Sequence, residues 1–544
     1  MPTPAEKLAK SLEKLKSLQD QHGFAAVRSR DLPEPDRKLL FSQGFLKKVM
    51  KGWYIPCRPD EQPGDSTSWY VSYWKFIAKY LHHRFGDDWV LSPEHSLMLH
   101  AGNNAIPGQL VVRAPGGRNR VTELIHGTSI LEMRTKLPPE REIVTRNGIR
   151  MYSLASGLTN CSAGFFSRNK ITAQTLLGMV AEPSQILDLL LDRGQTTIAG
   201  RLAGAFRNAG RPAIADEIMK SMKTAGYDVR ESDPFEDMAG MPAMPPATPA
   251  HIRFLHLTWQ SMREEVLHHF PAPPGIAGDG GDARDARDAG DAGDAGDAGD
   301  AGDAGDAEKY LKMMDDVYVT DAYHSLSIEG YRVSAELIDK VRSGGWNPDL
   351  DESDKAHRDA MAARGYWLAF LSVKKSVEKV LSGENAGSVA GRDHGDWYRE
   401  LFAPGVTAGI LKPSDLAGYR NAQVFIQQSR HIPPAAPEAR EMITELFDLL
   451  ADEEEPGVRA VLGHFLFAWI HPYMDGNGRM ARFLMNLMLA SGGYPWTVIP
   501  VESRSDYMRA LEEASVRKNI TPFTRLVSRL VDKGLDGKKV ARIT

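Results

Sequence analysis

The C-terminal half of the chain contains the stretch His471-Pro-Tyr-Met-Asp-Gly-Asn-Gly-Arg-Met-Ala-Arg482. An apolar run, Val458 to Ile470, precedes it after Pro456, and a second apolar run, Met480 to Ala490, follows it. Apolar runs of this length, one of them introduced by proline, predict a helix on each side of a tight loop. We therefore expect a helix–loop–helix unit whose polar loop residues gather at the start of the second helix.

The loop has the residue types of a phosphate-binding site. Gly476, Asn477 and Gly478 tolerate the positive φ angles of a nest, in which successive N–H groups point into one concavity. Arg479 and Arg482 lie three positions apart on the first turn of the second helix, so they can present two guanidinium groups to a polyphosphate. These residues predict a site for the phosphates of a nucleotide.

Two further loop residues point to chemistry as well as binding. Asp475 offers the hard carboxylate oxygen that a magnesium ion bridging two phosphates requires. His471 stands at the mouth of the loop, where a neutral imidazole could take a proton from an attacking hydroxyl. The sequence thus predicts a group-transfer site with a metal at Asp475 and a general base at His471.

Residues 471–482 resemble the signature of the Fic (Fido) family, His-Pro-Phe-x-Asp/Glu-Gly-Asn-Gly-Arg-x-x-Arg, with Tyr473 at the usual Phe position. The resemblance implies a mainly α Fic fold that transfers AMP from ATP to a Ser, Thr or Tyr hydroxyl of a target protein, with Mg²⁺ on Asp475. His471 would deprotonate the hydroxyl, Asn477 and neighbouring amides would hold the α-phosphate, and the arginines would stabilise the departing pyrophosphate.

Two further segments extend this resemblance over residues 251–535. Residues 418–427, followed by His431-Ile-Pro-Pro434, resemble the flap hairpin that pairs with the main chain of the target. Residues 504–507 and 511–515 resemble the region that lines the adenine pocket, where Tyr507 is the expected contact and Ser515 replaces the Asn of some relatives. The candidate binding residues of the flap are Val424, Phe425, Ile426 and Gln427.

A third segment, Ser325-Leu-Ser-Ile-Glu329-Gly330, resembles the inhibitory motif of the family. Ser325 and Glu329 are four residues apart, so they fall on one face of a helix that Gly330 is suited to end. The resemblance implies that Glu329 pairs with Arg482 and so removes the guanidinium that should orient the γ-phosphate. We expect an autoinhibited transferase.

The first 60 residues are interpreted as a winged helix-turn-helix. Leu8, Leu12, Leu15 and Leu18 recur at helical spacing, a second helix is predicted from Pro35 to Gln43, and residues 44–55 alternate as in a hairpin. The segment is similar to the start of AbiEi-type antitoxins, which makes DNA a candidate partner of residues 1–60. Its basic residues cluster within 24 positions: Arg28, Arg30, Arg37, Lys38, Lys47, Lys48 and Lys51.

The rest of the chain divides by composition. Residues 61–232 are expected to form an α+β companion domain, with a strand at 109–113 and helices at 184–192, 196–208 and 213–225. Residues 233–250 form a predicted linker, and the Gly-Asp-Ala repeat at 278–307 predicts an extended acidic insertion in the Fic domain. We therefore expect a multidomain protein.

Length and composition limit the classes of protein. A chain of 544 residues with 42% hydrophobic and 25% charged residues is typical of a soluble multidomain protein. Its only two cysteines, Cys57 and Cys161, indicate a reducing compartment. No apolar run suits a membrane span, so we expect a cytoplasmic protein without membrane contact, and family analogy adds a homodimer.

Two other functions compete with AMP transfer. Glu329 could serve as a base for water, in which case the reaction is removal of AMP from a modified protein. Alternatively, the chain is a DNA-binding, antitoxin-like regulator whose Fic domain senses nucleotide. A mobility shift on DNA that weakens with salt and is lost on deleting residues 1–60 would support the regulator.

Overall fold

The computed structural model describes residues 3–22, 26–61, 65–235, 244–245, 248–274, 304–345, 354–538 and 541–543. The chain forms two compact units, of which the first comprises Met1–Leu257 with Phe425–Ile432 and the second Thr258–Val424 with Pro433–Thr544. Most of the predicted acidic insertion and part of the predicted linker lie outside the described residues. Among the residues described, no helix has both the length and the apolar character for crossing a membrane.

The first unit begins with two helices and a small sheet. Its elements are α1 (Pro4–His22), β1 (Val27–Arg28), α2 (Glu34–Ser42), β2 (Leu46–Met50) and β3 (Trp53–Pro56). The strands pair antiparallel in the order β1-β3-β2, and β2 and β3 form the predicted hairpin. Leu15, Leu40 and Leu46 are buried together in a small core, which explains the helical spacing of the leucines.

The remainder of the first unit is the α+β region that the composition predicts. A four-stranded sheet has the order β4-β5-β7-β6, with β5 and β7 parallel, and β8 and β9 form a separate antiparallel pair. The bounds are α3 (Thr67–Phe85), β4 (Val90–Leu91), α4 (Pro93–His100), β5 (Gln109–Ala114), β6 (Arg120–Glu123), β7 (Ser129–Arg134), β8 (Ile143–Arg146), β9 (Ile149–Tyr152), α5 (Leu154–Asn160), α6 (Gly164–Arg168), α7 (Lys170–Met179), α8 (Ser184–Arg193), α9 (Thr196–Asn208) and α10 (Pro212–Thr224). The next helix, α11 (Ala250–His269), has its first residues in the first unit and the rest, from Thr258, in the second.

The second unit is built from helices. They are α12 (Ala304–Ile328), α13 (Ala335–Arg342), α14 (Asp354–Leu381), α15 (Ala386–Thr407), α16 (Ala436–Asp452), α17 (Pro456–Ile470), α18 (Asn477–Ala490), α19 (Arg504–Arg517) and α20 (Thr521–Leu535). Helices α17 and α18 are buried along almost their whole length. Apolar residues cover nearly every face of α17, whereas α18 also buries the polar side chains of Asn477, Arg479 and Arg482. The two helices form the predicted helix–loop–helix unit.

Two predictions about the C-terminal half of the chain need correction. Helix α12 begins at Ala304, so the predicted insertion, 278–307, extends four residues too far. The helix forms here because the sequence after the repeat contains apolar residues that can pack it. The predicted flap hairpin carries no assigned strand anywhere in residues 418–434, all of which the structure describes. The segment instead turns at Gln428, where φ is 61°, and Ser429 N–H donates to the Ile426 carbonyl at 3.1 Å.

Candidate active site

The loop between α17 and α18 is shaped by two residues with left-handed backbone. His471 ends α17 with φ 54°, and Gly476 precedes α18 with φ 81°. Of the three glycine and asparagine residues that tolerate a positive φ, only Gly476 adopts one, since Asn477 and Gly478 already belong to α18. The anion site that remains is the N-terminus of α18, whose first N–H groups have no carbonyl one turn back.

The Asn477 side chain fixes the loop. Its Oδ1 accepts a hydrogen bond from Tyr473 N–H at 3.0 Å, and its Nδ2 donates to the Tyr473 carbonyl at 2.9 Å. Both ends of the amide are therefore used inside the buried loop. That Asn477 and the neighbouring backbone amides hold the α-phosphate stays a prediction.

His471 is held as a neutral base. Its Nδ1 lies 3.1 Å from the Ala468 carbonyl, which requires the proton on Nδ1 and leaves Nε2 as the acceptor. Burial lowers the pKa of His471 to about 4, and the Ala468 carbonyl opposes this only in part. Arg420 fixes the main chain here, since its Nε donates to the His471 carbonyl at 2.8 Å. At neutral pH the imidazole can thus accept a proton.

Glu329 and Arg482 form the predicted ion pair. The Nη2 of Arg482 donates to Glu329 Oε1 at 2.7 Å, its Nε donates to Ser325 Oγ at 2.8 Å, and Nη2 also donates to the Ser325 carbonyl at 3.0 Å. Burial would raise the pKa of the Glu329 carboxyl, but Arg482 and Arg479 outweigh it and hold that pKa below its usual value. The Glu329 carboxylate therefore stays charged and keeps the Arg482 guanidinium bound.

Two glycines allow the Glu329 carboxylate to approach the start of α18 and Arg482. Gly330 has φ 87° and lets the chain turn away directly after Glu329 at the end of α12. At Gly478 an added Cβ would collide with Glu329 Oε1, so only glycine lets the carboxylate reach the start of α18. Gly478 is conformationally helical, and its role is the absence of a side chain.

Arg479 and Asp475 are the other two charged residues near the loop. Arg479 is 2% exposed, and its Nη2 is 3.7 Å from Asp475 Oδ1. The Asp475 side chain is 71% exposed, and Oδ1 accepts from Gly476 N–H at 2.6 Å. One accessible carboxylate beside a phosphate site fits magnesium, which usually takes one or two protein carboxylates and completes its shell with phosphates and water.

Tyr507 lies on α19 and is bound to a histidine that sequence reasoning missed. The Tyr507 hydroxyl lies 2.8 Å from Nε2 of His464, and both side chains are buried. Burial lowers the pKa of His464 to about 3. His464 sits inside an apolar helix, and nothing in its sequence context signals a partner 43 residues away. Ser515 is also buried, and Lys518 donates to its carbonyl at 2.8 Å.

The candidate flap residues are divided between the two units. Val424 is buried in the second unit, whereas Phe425, Ile426 and Gln427 belong to the first. Within that first unit Gln427 Nε2 donates to Asp65 Oδ2 at 3.4 Å, and Ile106 N–H donates to the Arg430 carbonyl at 2.9 Å. The second unit by itself brings together the loop residues, the inhibitory residues and Tyr507.

The buried His464 makes unfolding depend on pH. Its folded pKa of about 3 lies below the ordinary 6.5, so the unfolded chain binds one more proton between these values. Stability from this group is present above pH 6.5 and is lost as pH falls toward 3, by about 1.4 kcal/mol per pH unit. Denaturant unfolding from pH 7 to 4 should show a shallower pH slope for His464→Gln than for wild type. The exposed His82→Gln is the control and should keep the wild-type slope; an unchanged slope in His464→Gln would contradict the assignment.

Comparisons with known proteins show what the chain is similar to. Residues 396–489 match the model of the Fic/DOC family. A protein adenylyltransferase Fic of Nematostella vectensis is 36% identical over 132 residues, which cover 24% of this chain and 30% of the relative. The protein adenylyltransferase fic-1 of Caenorhabditis elegans is 28% identical over 223 residues, 40% of each chain. The chain thus spans well under half the length of these curated relatives.

Among solved structures, Fic-1 (residues 134–508) from C. elegans aligns with a TM-score of 0.35 and 17% identity, covering 65% of this chain and 91% of that one. A Fic domain containing signaling protein from Bacteroides thetaiotaomicron aligns with a TM-score of 0.35 and 18% identity, covering 54% and 99%.

Proposed function

We propose that this protein transfers AMP from ATP to a Ser, Thr or Tyr hydroxyl of a target protein, and the match of residues 396–489 to the Fic/DOC family model supports this proposal. The observation that carries the proposal is the half-buried, neutral His471 beside the N-terminus of α18, with Nε2 left to accept a proton. The names of the relatives support the same reaction, since they are protein adenylyltransferases.

The transfer requires one proton acceptor and several donors to phosphate. Nε2 of His471 takes the proton of the target hydroxyl as its oxygen attacks the α-phosphorus of ATP. A bond from that oxygen to the α-phosphorus forms, the bond to the β-phosphate oxygen breaks, and the electron pair leaves with pyrophosphate. The N–H groups at the start of α18 face the developing charge on the α-phosphate.

The arginines and Asp475 act on the other phosphates. Arg482, once free of Glu329, would orient the γ-phosphate, and Arg479 would hold the leaving group. Asp475 is the residue that would bind a magnesium ion, which when bound neutralises phosphate charge. The Tyr507 hydroxyl is hydrogen-bonded to His464, so we expect its ring, and not its hydroxyl, to contact the adenine.

Labelled ATP tests the reaction class. The Glu329→Gly protein is incubated with ATP carrying the label on the α-phosphate or on the γ-phosphate. We expect label on protein from α-labelled ATP only, because the γ-phosphate leaves with pyrophosphate. Label from γ-labelled ATP would indicate phosphoryl transfer and would contradict the proposal.

Ser325 supports the inhibitory pair and provides a graded test. Ser325→Ala removes the acceptor of Arg482 Nε but keeps Glu329 in place. We therefore expect auto-modification to rise by about fivefold, less than in Glu329→Gly, since a single hydrogen bond is lost. Ser327→Ala on the same helix is the matched control and should behave as wild type in an intact-mass assay. A rise as large as that of Glu329→Gly would contradict the ranking.

Removal of AMP from a modified protein is a second candidate. The inhibitory carboxylate contributes to the field at His471, so two groups able to handle protons share the site. A target already carrying AMP distinguishes the two reactions. Release of AMP by wild type and its loss in Glu329→Gly would favour removal.

DNA binding by residues 1–60 stays a prediction, and the charges do not favour it. Arg28 pairs with Asp31, Lys38 with Glu34 and Lys47 with Glu61, at 2.9, 2.8 and 2.7 Å. These pairs neutralise three of the seven basic residues that the hypothesis relies on. The homodimer and the cytoplasmic location likewise stay predictions.

A further inference from the structure

A cavity of about 160 Å³ opens beside Asp475 and Arg479, within the second unit. Apolar side chains form most of its wall, among them Phe402 and Ile410, and Arg358 of α14 contributes a further charge. Arg358 lies outside the family signature, 121 residues before Arg479. The cavity therefore joins one residue of the predicted phosphate machinery to a cation that the sequence did not single out.

Tyr331 organises the two arginines. The guanidinium carbons of Arg358 and Arg479 each lie 5.4 Å from the centre of its ring, and that of Arg479 is also 5.1 Å from the Phe402 ring. Aromatic faces hold a guanidinium in place and leave its N–H groups at the edge available. Tyr331 follows the inhibitory Glu329 by two residues, so it is fixed at the same turn.

The cavity has two positive side chains and one negative side chain, so its charge favours an anion. Arg479 is 2% exposed, and its Nε has no hydrogen-bond partner among the described residues. Within the residues that the structure describes, Arg358 has no carboxylate at ion-pair distance. Asp475 Oδ1 lies 3.7 Å from Nη2 of Arg479, which is long for an ion pair. A buried donor without a partner is costly, which indicates that a ligand with several acceptor oxygens completes the site.

We propose that Arg358, held on Tyr331 beside Arg479, binds the pyrophosphate that leaves when AMP is transferred. Pyrophosphate takes the electron pair of the broken bond, and this cavity is lined by Asp475 and Arg479, the residues proposed to bind the metal and the leaving group. Two guanidinium groups match such an anion, because each offers several N–H donors. The inference rests on the proposed function and adds a residue from outside the motif.

Binding of two products to the full-length protein tests this role. In the Glu329→Gly background, magnesium pyrophosphate and AMP are titrated by calorimetry into Arg358→Gln, Arg358→Lys and the control Arg392→Gln, an exposed arginine on α15 that pairs with Glu384. We expect Arg358→Gln to weaken pyrophosphate binding about tenfold, as for loss of one charged hydrogen bond, and to leave AMP binding unchanged. Arg358→Lys should retain part of the affinity, and Arg392→Gln all of it.

Three results would overturn the inference: unchanged pyrophosphate affinity in Arg358→Gln, an equal loss of AMP and pyrophosphate affinity, or no pyrophosphate binding by Glu329→Gly itself. AMP transfer by the same proteins separates this failure from that of the proposed function. If Glu329→Gly transfers AMP and Arg358→Gln still binds pyrophosphate normally, only the inference fails. If Glu329→Gly transfers no AMP, the proposed function fails and the inference with it.

Discussion

Replacing His471 with Ala in the Glu329→Gly background should lower the rate of AMP transfer by about 10²–10⁴-fold, the usual contribution of a positioned general base. The physical reason is that Nε2 of His471 is an acceptor already held in the correct proton state, because Nδ1 is bound to the Ala468 carbonyl and burial keeps the ring neutral. The affinity for ATP should change by less than about twofold, because the phosphate donors remain.

Single-turnover kinetics and ATP titration separate these two effects. His82→Ala, a change at an exposed histidine of the first unit, is the matched control and should leave both quantities unchanged. A His471→Ala protein that transfers AMP at the rate of its parent would refute the assignment of the base. A protein that loses ATP affinity and rate together would indicate that His471 maintains the loop instead.

Replacing Glu329 with Gly should raise auto-modification by roughly 10- to 100-fold, as expected when a charged hydrogen bond worth about 1.5–3 kcal/mol no longer holds Arg482. In wild type Nε and Nη2 of Arg482 are bound to Ser325 and Glu329, so only Nη1 is left for a γ-phosphate. Removing the carboxylate also removes a negative charge from the space beside Gly478 where phosphate should bind.

Two further variants make this second test specific. Glu329→Gln keeps the size of the side chain and one acceptor oxygen, so its activity should lie between those of wild type and Glu329→Gly. Glu308→Gly places a glycine in the exposed first turns of α12 and should behave as wild type. Equal activity of all four proteins in a time course of modification would contradict an inhibitory role of Glu329.

Local patterns in the sequence predicted the elements well where one physical signal dominates. The helices at 184–193 and 196–208 were expected within one residue of their bounds, because their apolar spacing and flanking turns agree. The pairing of Glu329 with Arg482 was also predicted, but only through the resemblance to a family. These residues are 153 positions apart, and no local property links them.

Other features of the site depend on tertiary contacts that spacing does not encode. The two hydrogen bonds between the Asn477 amide and the Tyr473 backbone, which hold the loop, could not be foreseen from the sequence. His464 and Arg358 were missed, since the first lies in an apolar helix and the second in an ordinary polar stretch. The flap residues were assigned by analogy, and three of them lie in the first unit.

AMP transfer by His471 and its inhibition by Glu329 are tested most directly by the intact mass of the protein after incubation with ATP and magnesium. Wild type, Glu329→Gly and the double variant Glu329→Gly with His471→Ala are compared. We expect a gain of AMP units in Glu329→Gly, little gain in wild type and none in the double variant. No gain in any of the three, or the same gain in all three, would contradict an AMP transferase that uses His471 and is inhibited by Glu329.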